Sequence, residues 1–388
     1  MKYRVAEKYY GPEIRHNDWS QDKGRLVAAG GMLHLLGEKE TETSLAYYPM
    51  PSIGGDIAVS LRFHFERFDQ DSEFCVKFNS IPKLASEDAG FRFVINHGSY
   101  AFFYKQKKVF EREMMAIRFF RPHTIKLATL MDEYAFFIDG KLIVKGKIDK
   151  PYTDNEGVFG VNIKKGDARI ISFLEEYINY DLKIPEWKRG ELLYEEKFGR
   201  RSLNTNWLIN GESAEPEDDA FTFNFMSNCV LKKKFKAPLA VDFKATPMKS
   251  PLHYVAGVTD AIFIWMVDKP KGDLFHYLEN LPDAELPRLD QLAFYWTDFG
   301  GSNNVTTRMR KNPCRHLIRQ FVDRPRLLER NRTYDITLVQ NDSFIEYWVD
   351  GKPWIRSYDP YALESGHMGF RAYLSDLRIS DLKVWKVS

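Results

Sequence analysis

The sequence predicts an all-β protein built as two tandem β-sandwiches, and three observations predict it. Aromatic residues, 29 Phe, 20 Tyr and 8 Trp, make up 15% of the 388 residues, and such side chains favour pleated, half-buried surfaces over helices. Apolar and polar residues alternate over short runs bounded by glycine-rich turns, as strands with one buried face require. One such pattern also occurs twice. A composition of 44% apolar and 28% charged residues excludes a disordered or collagenous chain.

The segment HTIKLATLMDEYAFFIDGKL, starting at His123, aligns without gaps on YDITLVQNDSFIEYWVDGKP, starting at Tyr334, 211 positions later. Ile125, Leu127, Phe136 and Ile138 match Ile336, Leu338, Tyr347 and Val349. Each copy reaches Asp-Gly, at Asp139 and Asp350, a dipeptide that accepts the positive φ angles of a tight hairpin turn. Each then continues to a Gly-x-x-Gly strand, GVFGV from Gly157 and GHMGF from Gly366, and to a closing strand. The starts repeat as well. EKYYG near Glu7 resembles EEKFG near Glu195, Trp19 matches Trp207 at the same offset of 188, and Ala58-Val59 matches Ala240-Val241 at 182. These matches divide the chain into a sandwich at 1–185 and another at 186–388. The expected hinge is Lys183 to Gly190, where Pro185 cannot donate to a ladder.

Between Ala240 and Tyr334 the offset rises from 182 to 211, so the second copy has gained 29 residues. Insertions in a sandwich go to loops, where sites are usually built. Leu292 to Trp296 reads as a strand, and Thr297 to Asn304, with paired glycines and paired asparagines, as a turn. From Arg308 to Arg332 there are nine Lys or Arg against Asp323 and Glu329, an excess of seven charges in a chain whose formal net charge is +2. Such a field draws anions. On a strand, Thr306, Arg308 and Arg310 share one face and Met309 takes the other. The two arginines, with Lys311 and Arg315 beside them and Asn303, Asn304 and Asn312 around them, form a fork suited to a carboxylate or sulfate. Trp296 alternates with Tyr295, so one ring faces outward as a platform for a sugar. The expected substrate-binding set is therefore Trp296, Asn303, Asn304, Thr306, Arg308, Arg310, Lys311 and Arg315. The Arg319 to Arg332 stretch reads equally well as a solvated basic face.

The run YWTDFGGSNNVTTRMRKNPCRHL, followed by TYDITLVQNDSFIEYWVDG and SGHMGFRAYLSDLRISDLKVW, is similar to the YesU-like proteins, a concanavalin A-like (laminin G-like) family associated with bacterial pectin and rhamnogalacturonan utilisation. The likeness covers Gly190 to Ser388. It implies a jelly roll in the second half and an acidic, uronate-containing oligosaccharide or polysaccharide as partner. The order of the closing strands extends the same architecture to the first half, giving two tandem concanavalin A-like jelly-roll β-sandwiches. The equivalent stretch there, YKQKKVFEREM from Tyr104, carries glutamates and lacks the asparagine pair, so no duplicate site is expected.

A glycosidase needs two carboxylates placed across the glycosidic bond. The Glu-x-Asp-x-x-Glu strand of jelly-roll glucanases is absent, as are the Arg-Glu-x-Arg, Gln-Ile-His and Tyr-x-Lys motifs of alginate-lyase jelly rolls. A uronate lyase needs donors that neutralise the sugar carboxylate and a base that takes the neighbouring proton. Arg308, Arg310 and Asn304 suit the first role, and His316 or Tyr295 the catalytic second. The readings left open are a polysaccharide lyase or glycoside hydrolase, a non-catalytic carbohydrate-binding module, and a structural or interaction protein. His316 also reads as a residue bonded to a loop carbonyl, Asp298 as an Asx-turn residue, and His253 and His367 as structural or surface groups.

No cofactor is expected. Cys75, Cys229 and Cys314 lie too far apart for a metal or disulfide framework. A structural calcium, frequent in the superfamily this chain resembles, has Asp260, Asp268 and Asp273 as candidate ligands, without compact Asp-x-Asp spacing. The balanced charge argues against nucleic acid and membrane partners. The longest strongly apolar run, Ala261 to Val267, falls far short of the ~20 residues that span a bilayer. The opening MKYRVAEKYYGPE lacks a hydrophobic signal core, so the chain reads as cytoplasmic as written, or as secreted or periplasmic if a signal peptide preceded this numbering.

Overall fold

The alternating segments form strands throughout the computed structural model, which describes residues 2–10, 20–23, 25–29, 32–37, 44–49, 56–80, 90–113, 121–148, 158–211, 213–250, 257–282, 286–313, 315–321 and 323–388. Trp19, Gly157, His253 and Cys314 lie outside these residues. The fold is all-β, as expected, and the chain divides into two units, Met1–Asp181 and Leu182–Ser388.

In the first unit two long strands, Ile57–Ser80 and Val158–Tyr180, pair antiparallel along most of their length. One end of Ile57–Ser80 pairs with His123–Leu130, which leads through Glu133–Ile138 to Lys141–Lys147. The other end pairs with Phe91–Asn96, followed by Ser99–Tyr104 and Lys107–Glu113. Between these ends the register breaks: Lys164 opposes Glu73, but Gly166 opposes Phe68. Extra residues in a ladder bend it, and here the bend lets one continuous ladder supply both layers. The layers meet through aromatic rings. Phe136 lies 4.9 Å from Phe93 and 4.4 Å from Phe102 between ring centroids, contacts worth about 0.5–1.5 kcal/mol each beyond their buried area. The phenylalanine excess is thus largely core.

The second unit is a sandwich of two separate sheets. Sheet I has the order Ala214–Pro216, Ala220–Phe223, Asp376–Val387, Leu239–Met248, Tyr334–Asn341, Phe344–Val349, Lys352–Tyr358, with Arg189–Glu195 also on Asp376–Val387. Sheet II has the order Trp207–Gly211, Ser227–Leu231, Ser365–Ala372, Ala261–Asp268, Ala293–Gly300, Thr306–Asn312, His316–Phe321. Their inner faces share a core that includes Trp207, Phe243, Phe263, Tyr347 and Phe370. The strand from Ala293 runs on to Gly300, so the expected turn over 297–304 is confined to the residues after it. A run of left-handed residues, Ser302, Asn303 and Asn304, makes that turn.

The closing hairpins of the two units have the same register. Ile125 pairs with Ile138, and Ile336 with Val349. Leu127 pairs with Val59, and Leu338 with Val241. Asp139 and Gly140, like Asp350 and Gly351, take the positive φ angles that Asp-Gly predicts. Residues of the expected hinge belong to the second unit: Arg189 starts a strand and Trp187 packs on Trp348.

Sheet II carries a second apolar layer on its outward face. The short helix Leu274–Glu279, capped by Asp273, and the 3₁₀ turn Leu286–Leu289 bring Leu274, Leu278, Leu289 and Leu292 onto Val230, Ile262, Ile264, Phe294 and Trp296. An outward sheet face that would otherwise meet water is thereby covered in part.

Candidate functional site

Beside that apolar cover, the outward face of sheet II continues as a polar row. Cross-strand pairing runs from Asn228 to Arg371, Ile262, Asp298, Arg308 and Gln320. Each of these residues has a chain neighbour in the inner core, Cys229, Phe370, Phe263, Phe299, Met309 or Phe321, so alternation turns the row itself outward. Yet Asn228, Arg371, Asp298 and Gln320 are at most 5% exposed. Buried charges are costly unless paired, and Asp298 is paired with care. Its carboxylate accepts from the Arg308 backbone N–H at 3.0 Å and from Arg308 Nε at 2.8 Å, with Arg308 Nη2 as a further donor. Gly301 permits this: a Cβ there would lie 2.6 Å from Asp298 Oδ2 and 2.8 Å from Arg308 Nη2.

Asp260 sits beside the middle of this row, two residues before Ile262 in the chain. Its backbone N–H donates to Gly300 O at 3.0 Å, and the Thr259 hydroxyl donates to its Oδ2 at 2.7 Å. Burial, and then the Asp298 charge, push its carboxyl up to about 6, against the opposing pull of the Thr259 hydrogen bond and the charges of Arg308 and Arg371. The row thus combines a carboxylate fixed by an arginine, a carboxyl that holds its proton into the mildly acidic range, and guanidinium and amide groups.

Several residues expected to bind substrate have other partners. Trp296 is buried under the apolar cover and donates to Asn312 Oδ1 at 3.0 Å, so it presents no ring face to solvent. Arg310, 2% exposed, donates to the Arg315 carbonyl at 2.9 Å, and Arg315 holds Asp290 through two bonds of 2.7 and 2.8 Å. Arg308 does share a face with Arg310, but its guanidinium is engaged by Asp298; the open fork expected from the sequence is closed. Asn304 brackets Leu328, accepting from its N–H at 2.8 Å and donating to its carbonyl at 2.9 Å. Thr306 is buried and donates to Gly301 O at 3.3 Å. Asn303 is exposed on the turn.

The two expected catalytic residues are also enclosed. Tyr295 faces the core and donates to Asp359 Oδ2 at 2.5 Å; burial and that carboxylate raise its phenol well above the ordinary range. Lys311 donates to the same oxygen at 2.6 Å. His316 is buried opposite Lys311. Asp298 belongs to a strand rather than an Asx-turn.

Four of the seven excess positive charges of 308–332 are offset by Asp290, Asp298, Asp350 and Asp359, which lie outside that segment. Of the candidate calcium ligands, Asp268 pairs with Lys234 at 2.6 Å and Asp273 accepts from His276 N–H at 2.9 Å. Among the described residues no group of three His, Cys, Asp or Glu is placed to hold a metal ion. No helix among them is long and apolar enough to cross a membrane. Of the row, the sequence reading missed Asn228, Asp260 as a proton carrier, and Gln320. Arg308 is the member of the row that the sequence marks as a binding residue, and Arg371 lies in the SGHMGFRAYL run that carries the YesU-like resemblance.

Residues 228–382 match the model of a domain family of unknown function, DUF6250. No curated protein matches the chain. Among solved structures, a protein of unknown function with a galectin-like fold from Bacillus subtilis is 14% identical, with a TM-score of 0.43 over 52% of this chain and 99% of that one. The carbohydrate-binding module CBM66 from Bacillus subtilis is 10% identical, TM-score 0.34, over 47% and 96%. The β-glucanase of Bacillus licheniformis is 10% identical, TM-score 0.33, over 45% and 99%.

Proposed function

We propose that the second unit acts on an acidic, uronate-containing oligosaccharide along the polar row of sheet II. The observation that carries this reading is the row itself: across six strands of an outward face, Asn228 and Arg371 on one side of Ile262 and Asp298, Arg308 and Gln320 on the other follow one another in cross-strand register. Burying charged and amide groups carries a desolvation cost that an apolar cover of the kind seen over Trp296 would not. Arg308 is the part-exposed polar member of the row, and a guanidinium suits a sugar's carboxylate; the buried members lie around it. Burial and the Asp298 charge raise the carboxyl of Asp260, which suits it to donate a proton, while Asp298 is fixed on Arg308. In this reading Asp260 donates the proton and Asp298 orients Arg308. The resemblance of Gly190 to Ser388 to YesU-like proteins points to the same substrate class, and the shared hairpin register of the two units supports a tandem relationship.

The test uses the whole chain and a panel of uronate oligosaccharides. Binding is followed by calorimetry, cleavage by new reducing ends and by the ultraviolet absorbance of an unsaturated uronate. Binding that weakens at least tenfold in Arg371→Ala supports the reading. Turnover that is lost in Asp260→Asn makes the protein an enzyme, and binding without turnover makes it a binding module. No binding of any acidic sugar, or binding indifferent to Arg371→Ala, overturns the proposal.

A further inference from the structure

On the opposite sheet, a cavity of about 650 Å³ is lined by Trp187, Lys188, Arg189, Thr337, Trp348 and Arg356, among others. Its size falls within the range of small-molecule sites. Three features show how it is built. The indole rings of Trp187 and Trp348 stand nearly perpendicular, at 89°, with centroids 6.0 Å apart. Both indole N–H groups donate to one carboxylate oxygen, Glu346 Oε2, at 3.2 and 2.7 Å, while Arg356 Nη2 donates to Oε1 at 3.2 Å. Glu346 itself is fully buried, so a single carboxylate fixes the orientation of two rings and a guanidinium.

The hairpin fold does not demand this arrangement. The first unit has the same hairpin in the same register, and there Trp348 is matched by Phe137, Glu346 by Ala135 and Thr337 by Lys126. Asp242, which holds Arg189 through bonds of 2.6 and 2.8 Å, is matched by Ser60. The buried carboxylate and its rings are therefore additions to a scaffold that folds without them.

We propose that this cavity is a second ligand site, separate from the polar row, and that its ligand is a short saccharide. The indole edges are spent on Glu346, which leaves ring surface as the aromatic contribution, and ring surface is what the apolar C–H face of a pyranose packs against. Arg189 and Arg356 lie over the Trp187 and Trp348 rings, at 5.2 and 5.8 Å from their centroids, so each guanidinium occupies one face of its ring, and the N–H groups it does not spend on Asp242 or Glu346 are the nearest donors for sugar hydroxyls. Lys188 and Glu186 are exposed at the rim and form no ion pair among the described residues. They supply a further donor and acceptor. Glu346 is a positioning residue: it touches the rings rather than the sugar.

The experiment is titration of the full chain with the neutral saccharides cellopentaose, xylopentaose and mannopentaose, which lack the carboxylate that the polar row would recognise, read by tryptophan fluorescence and calorimetry. At least one should bind, with affinity falling tenfold or more in Trp348→Ala. Trp348→Phe, the residue that the equivalent hairpin of the first unit carries, is the milder variant: it loses the indole donor to Glu346 and some stability with it, but should still melt cooperatively and should weaken binding by a smaller factor. Arg371→Ala, on the other sheet, should leave this binding intact. Failure of all three saccharides to bind, or affinity unchanged in both Trp348 variants, overturns the proposal. Binding lost in Arg371→Ala but kept in Trp348→Ala overturns it too, while leaving the reading of the polar row standing.

Discussion

Asp298 and Arg308 face each other across adjacent strands, joined by a side-chain bond of 2.8 Å and by the Arg308 backbone N–H at 3.0 Å. One carboxylate thus satisfies both a guanidinium and a ladder amide, on a face where water would normally do that work. Removing one partner leaves a mostly buried charge uncompensated, at a typical cost of about 3–5 kcal/mol. We expect Asp298→Ala to lose on the order of 3 kcal/mol in urea unfolding, and the double variant Asp298→Ala, Arg308→Met to lose less than the sum of the single ones. Strict additivity would mean that the two groups do not act as a pair.

Asp260 gives a pH dependence whose sign is fixed. Its folded carboxyl titrates at about 6 against an ordinary 3.8, so between those values the folded chain holds a proton that the unfolded chain has released. This group's contribution to stability is present below pH 3.8 and is lost as pH rises through 6. Asp260→Asn should match the wild type at pH 3.5 and exceed it above pH 7, by on the order of 1–3 kcal/mol. Denaturant melts at half-unit steps provide the comparison, and parallel curves for the two proteins would contradict it.

Tyr295 should prove structural. Tyr295→Phe removes a donor to Asp359 and the acceptor of the Leu363 N–H, a loss of about 1–2 kcal/mol. Saccharide binding and any turnover should be unchanged once the protein is folded. A selective loss of turnover with an unaltered melting curve would restore Tyr295 to the reacting centre.

The apolar cover on sheet II can be opened from outside. Leu278→Ala removes packing above the layer that includes Trp296, and substitutions of this kind cost about 2–5 kcal/mol. Indole emission should shift to longer wavelength as water reaches the layer. An unshifted spectrum would show that the short helix does not seal it.

Local pattern carried the sequence reading a long way. The strand alternation, the two Asp-Gly turns and the relative placement of Ala58-Val59 and Ala240-Val241 all reappear as observed pairing. What stayed hidden was which outward faces remain uncovered. Alternation places one of Tyr295 and Trp296 outward, and it is Trp296, but its ring is sealed by leucines from Leu274 to Leu292, a packing that no period of two can reveal; Arg310 is taken up by the Arg315 carbonyl. The basic segment read as a field because its neutralising carboxylates, Asp290, Asp298, Asp350 and Asp359, lie elsewhere in the sequence. Trp187 and Trp348 are 161 positions apart, and only the folded sheet brings them to one carboxylate.

The two long strands of the first unit have a consequence for how that unit comes apart. Since Ile57–Ser80 and Val158–Tyr180 pass from one layer into the other, neither layer owns its central strands, and a layer that frays pulls on its partner through continuous backbone. The second unit has two ladders with no strand in common, joined across their inner faces by side chains. Amide exchange in the first unit should therefore slow and open as one block, whereas in the second the edge of one sheet can loosen while the other stays closed. The same sandwich architecture is thus held in two mechanical forms, one knitted through the main chain and one pressed together by its core.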